Sequence, residues 1–219
     1  MQEILDELKS VLSGKTLDAI FPPLIFVIVN AFGNLNLAAI LALLIAAALT
    51  SFRAIKKQSW KYALGGFVGV AIAGALAYFT KSATSYYLPA LISSTFIVLS
   101  ATLSIILGKP LAAWTSHLTR AWPINWYWLP QVKPAYTEVT LLWSLLFILR
   151  LAVQIQLYLK GDATSLGWTN IILGWPFTII ILVISYMYRI WRLCKLGGPS
   201  VDEYKTDKLP PWLGQTRGF

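Results

Sequence analysis

Residues 35–52 read LNLAAILALLIAAALTSF, and no charged side chain interrupts them. A helix on the surface of a soluble protein shows a polar face. This one would be apolar on every side, which suits a helix surrounded by lipid or by other apolar helices. Ala38, Ala42, Ala46 and Thr50 recur at four-residue spacing. That spacing lines one helix face with small residues, against which another backbone can pack closely.

The rest of the chain is built in the same way. It is 57% hydrophobic and only 12% charged, whereas a soluble domain carries roughly 25% charged residues. Five further apolar stretches, 17–33, 62–80, 86–107, 138–159 and 168–190, join 35–52. Each approaches the roughly 20 residues that a bilayer core demands. The expected fold class is an all-α membrane protein with six transmembrane helices. Ile4, Leu5, Leu8, Val11 and Leu12 add an amphipathic N-terminal helix within residues 1–16. That segment lacks the basic start of a secretory signal. The membrane domain is expected over 17–193 and a cytoplasmic tail over 194–219.

The net charge of +9 has a topological reading. Fifteen of the eighteen Lys and Arg residues fall on the side of the N-terminus, two (Lys81 and Lys160) on the other, and Arg150 lies within a span. Basic residues concentrate on the cytoplasmic side of membranes, so both termini are expected there, facing anionic lipid headgroups. A nucleic-acid partner is not expected, because no folded basic domain is present to offer one surface. The expected localisation is the bacterial cytoplasmic (inner) membrane or a related internal membrane.

The third apolar stretch carries Gly65, Gly69, Ala73 and Ala77, again every fourth residue. With Ala42 and Ala46 of the second they predict a close helix–helix contact.

Between the fourth and fifth spans lies a Trp-rich interfacial segment, 109–137. It holds Trp114, Trp122, Trp126 and Trp128, together with His117 and Arg120. Pro110 can open a helix and Pro123 must end it. The segment reads as a short amphipathic helix on the cytoplasmic face followed by an extended stretch. These six residues are its interfacial anchors, or a docking surface for a protein partner. His117 has two readings: a proton carrier or ligand, and a plain interfacial hydrogen-bonding group.

Arg150 is the sharpest feature. At 1.5 Å per residue it lies about 17 Å beyond Val139, near mid-membrane, and no Asp or Glu occupies the core of any span. Gln154 and Tyr158 continue its face at four-residue steps, and Asn30 is a polar candidate on the first span. One reading is a polar pocket that takes an anionic group of a solute or lipid. The other is a structural arginine bonded to carbonyls freed near the prolines.

No cofactor and no metal are expected. One cysteine, Cys194, and one histidine provide no ligand cluster. No nucleophile–base set, HExxH or phosphate loop can be assembled, and Glu138 with His117 is the sole acid–base pair within the interfacial region.

The stretches GKPLAAW (108–114), FILRLAVQIQLYL (147–159), GWPFTIIILVISYMYR (174–189) and LDAIFPPLIFVIVNAF (17–32) resemble an uncharacterised bacterial membrane family. It is the domain-of-unknown-function family numbered 3159, often grouped with intracellular septation protein A. Pro22, Pro110, Arg150, Gln154, Tyr158 and Pro176 carry the match. The resemblance implies a multi-pass membrane protein with a link to the cell envelope or division and no established chemistry. The expected function is a non-catalytic envelope or septation-related scaffold or membrane-complex subunit. The alternative is a transporter or lipid-handling protein that binds an anionic group at Arg150.

Overall fold

A computed structural model describes residues 14–55 and 60–214, leaving aside the side chains of residues 14–20, 60–63 and 175. Residues 1–13 of the expected N-terminal helix lie outside the described residues. Every regular element among the described residues is helical. In chain order these are α1 (Gly14–Ala31), α2 (Leu35–Ile55), α3 (Trp60–Thr80), α4 (Leu88–Ile106), α5 (Leu111–Arg120), α6 (Lys133–Leu159), α7 (Ala163–Ile172), α8 (Trp175–Leu196) and α9 (Val201–Lys205). Short 3-10 turns, Ala83–Tyr87 and Ile124–Trp128, lead into α4 and follow α5.

Four stretches among the described residues are long and apolar enough to cross a membrane: Leu35–Ile55, Ala83–Ile106, Lys133–Leu159 and Ala163–Leu196. Phe21–Ala31 and Leu64–Thr80 are shorter apolar helices. Two expected boundaries need correction. The fifth helix begins at Lys133 rather than 138, so the extended stretch expected before it is a 3-10 turn and the first turn of a helix. The sixth stretch, 168–190, is not one helix. α7 ends at Ile172 and α8 starts at Trp175. Pro176 has no N–H to continue the ladder and its ring opposes a carbonyl one turn back, so a helix stops before it and restarts with proline in its first turn.

The chain divides into two compact units, residues 1–93 with 152–176, and residues 94–151 with 177–219. In the first, α1 and α2 form a hairpin. Gly33 makes the turn with φ +80, and Asn34 Oδ1 accepts from the Leu37 N–H at 3.0 Å, capping α2. The alanine ridge does what its spacing predicts: Ala38, Ala42 and Ala46 are buried, as are Ala73 and Ala77 of α3. Gly65 and Gly69 depart from the expected ridge. They are exposed, and a methyl built on either would meet nothing within 4 Å. α1 adds Phe26 and Val27 to the core, and α7 adds Ala163 and Leu166.

The second unit has an aromatic core. Ala112 and Ala113 of α5, Trp126 and Tyr127 of the 3-10 turn, Tyr136 and Val139 of α6, Leu193 of α8 and Val201 of α9 pack together.

Candidate functional site

In the first unit, the 3-10 turn delivers Tyr86 and Tyr87 to the core. Phe26 stacks on Tyr86 with ring centroids 3.7 Å apart and meets Tyr87 edge-on at 5.8 Å. Both tyrosines are buried, at 5% and 3% exposure, and neither hydroxyl has a hydrogen-bond partner. Gly167 of α7 makes room for Tyr87, because a methyl there would run into the Tyr87 hydroxyl and Val27.

One turn along α7, Asn170 Oδ1 accepts from Gln154 Nε2 at 2.8 Å, while Asn170 Nδ2 donates to the Leu166 carbonyl. Gln154 is fully buried, and its Oε1 has no partner. A buried polar atom left unpaired is costly. Here three such atoms sit in one unit, and the face of α7 that carries Gly167 and Asn170 links Tyr87 to Gln154. Asn30 and Tyr158 are half-buried in the same unit, and Tyr158 packs against its core. Sequence reasoning found Gln154, Tyr158 and Asn30. It missed Asn170, Tyr86 and Tyr87. A glycine inside a helical pattern, followed three residues on by Asn170, was the available signal of close approach.

Arg150 belongs to the second unit, in the interior of α6. Leu145, Ile148 and Leu149 around it are exposed. Its buried Nε has no hydrogen-bond partner, and among the described residues no carboxylate pairs with it. The structural reading, in which carbonyls take up this charge, has no such bond to Nε.

Glu138 and His117 do not form the expected acid–base pair. Glu138 takes a two-pronged bond from Arg192, with Nη2 to Oε1 at 2.8 Å and Nε to Oε2 at 2.9 Å, and a third from the Tyr188 hydroxyl at 2.7 Å. His117 Nδ1 lies 2.6 Å from the Trp122 carbonyl oxygen.

The anchors divide. Trp114 and Leu118 are exposed on α5 opposite the buried Ala112, Ala113 and Ser116, as an amphipathic surface helix requires. Trp122, Trp128, His117 and Arg120 are half-buried. Trp126 is wholly buried, and its indole N–H donates to the Pro199 carbonyl at 2.9 Å. It belongs to the core of the second unit. Burial pushes the Tyr127 phenol up to about 12.

The tail is organised around Glu203. With Ser200 it forms a capping box on α9, a pairing that satisfies two otherwise orphaned N–H groups. Its carboxylate also accepts from the backbone of Leu213 at 2.8 Å and from Lys208 Nζ at 3.0 Å. These bonds, the Leu213 and Ser200 backbone first, lower its pKa from 4.5 to about 2. Asp162 caps α7 and is likewise held below the usual carboxylate range by Ser165.

The class these features define is an all-helical protein with apolar helices of membrane-crossing length. The particular family follows from a match of residues 13–192 to the family described as "Protein of unknown function (DUF3159)", and the chain belongs to it. No curated protein and no solved structure matches the chain.

Proposed function

We propose that the chain is a six-span protein of the bacterial inner membrane, with cytoplasmic termini, acting as a non-catalytic subunit or scaffold of a membrane complex. The link to the envelope and septation implied by the resemblance is part of this reading. One observation carries it. Arg150 sits inside a helix of membrane-crossing length, among exposed aliphatic residues, with its buried Nε unbonded. A charge within the bilayer is retained when something neutralises it, and a carboxylate on a partner helix does so with two-pronged geometry. Placing a photo-crosslinking residue at Leu149 in native membranes tests this. One abundant protein adduct is expected, retained with Arg150→Lys and lost with Arg150→Leu at unchanged protein level. An adduct indifferent to Arg150→Leu would overturn the proposal.

A second reading is a transporter or lipid-handling protein binding an anionic group at Arg150, whose buried Nε has no partner. An ionisable residue within a membrane span marks a solute or ion path as its default functional reading. Crosslinks to lipid alone, with no protein adduct, would select it.

A further inference from the structure

Two arginines bracket the aromatic core of the second unit. Arg120, in the last turn of α5, holds its guanidinium 5.0 Å from the centre of the Trp122 ring. Arg189 of α8 lies 5.3 Å from the Tyr136 ring centre. Between them the rings are continuous: Trp122 stacks on Tyr127 at 6.4 Å, and Tyr127 meets Tyr136 edge-on at 4.9 Å. The charges of both Arg120 and Arg189 act on the Tyr127 phenol, against the dominant effect of burial.

The two phenols differ in their bonding. Tyr127 donates to Ser116 Oγ at 3.0 Å. Tyr136 is fully buried, and its hydroxyl makes no well-aligned hydrogen bond, although Ser116 and Arg189 both lie close enough to act on it. The carboxylate closest to it in sequence, Glu138, is occupied by Arg192 and Tyr188. Among the described residues no carboxylate pairs with Arg189. Positive charge and the Tyr136 hydroxyl thus come together near Ser116, which lies one turn before Arg120 on α5 and whose Oγ accepts from Tyr127.

We propose that Arg189 and Arg120, with the Tyr136 and Ser116 hydroxyls, form a binding site for a phosphate group, from an anionic lipid headgroup or from free phosphate. Guanidinium presents two parallel donors that match two oxygens of a phosphate. A tetrahedral anion has further oxygens for hydroxyl donors that approach from other directions, which a planar carboxylate lacks. The exposed Trp114 and Leu118 on α5 belong to the same unit, and amphipathic rings of this kind lie at headgroup depth.

The test uses the full chain in nanodiscs of phosphatidylcholine, titrated with phosphatidylglycerol and read by native mass spectrometry and thermal melting. Wild type is expected to retain phosphatidylglycerol selectively and to melt higher with it. Arg189→Gln and Tyr136→Phe should each weaken retention at least tenfold, and Arg189→Lys less. Lys195→Gln, which removes an exposed charge, should leave it unchanged. Tyr136→Phe removes one oxygen that makes no well-aligned bond and keeps the buried ring, so the fold should survive, with unchanged helix content as the check. Millimolar inorganic phosphate that displaces the lipid, or that binds and stabilises wild type without it, assigns the site to free phosphate. Failure to compete assigns it to the headgroup. Arg189→Gln behaving like Lys195→Gln, Tyr136→Phe binding as wild type, or wild type responding to neither ligand would each overturn the proposal.

Discussion

At the residue scale, small side chains and ring nitrogens do most of the specifying. Gly167 is glycine because Val27 and Tyr87 occupy the space a methyl would need. Gly167→Ala overpacks a dense interior, which costs about 1–3 kcal/mol, and should lower the melting temperature of the purified protein. The same substitution at Gly65, where nothing lies within 4 Å, should leave melting unchanged. Trp126→Phe keeps most of the buried ring but orphans the Pro199 carbonyl. A loss of about 1–3 kcal/mol is expected, read as lower stability with the helix content retained. Residue patterns in the sequence foretold Ala38, Ala42 and Ala73 as packing positions, because their spacing is a property of one helix. They did not separate Trp114 from Trp126. Both are tryptophans in one segment; Trp114 falls on the outer face of α5, whereas the turn at 124–128 carries Trp126 into the core.

At the scale of elements, the helical and apolar character of the chain was legible because it rests on long local patterns, and four stretches among the described residues are long and apolar enough to cross a membrane. The break between α7 and α8 was not legible, since a proline in the first turn of a helix leaves the hydrophobic pattern intact on both sides. α7 depends on its cap: Asp162→Ala removes the acceptor of the Ser165 N–H and should cost about 1 kcal/mol. The tail element depends on one carboxylate. Glu203 has its pKa lowered from 4.5 to about 2. A depressed folded pKa stabilises the tail above the unfolded value, and that contribution is lost as the pH falls from about 4.5 toward about 2. Amide exchange at Leu213 and Gly214 should therefore stay protected at neutral pH and accelerate through that acid window. Glu203→Gln should expose both amides even at neutral pH. Protection that persists below pH 2 would show that other contacts hold the tail.

At the scale of the whole molecule, the testable claim is the distribution of charge. Fifteen of the basic side chains lie on one side of the proposed topology and Lys81 and Lys160 on the other. Moving basic loops across a membrane is unfavourable, so this asymmetry predicts the orientation. The sole cysteine, Cys194, is exposed near the end of α8 and reports on it directly. A membrane-impermeant maleimide should label Cys194 in inside-out vesicles and spare it in intact cells. In a Cys194→Ser background, Lys205→Cys, beyond the last apolar helix, should behave like Cys194. Lys160→Cys should show the opposite pattern, because an even number of crossings precedes Cys194 and an odd number precedes Lys160. Labelling of Lys160→Cys and Lys205→Cys from the same side would mean that Ala163–Leu196 turns back at its break near Gly174 instead of crossing. In that case the interruption that the sequence pattern concealed would decide the topology.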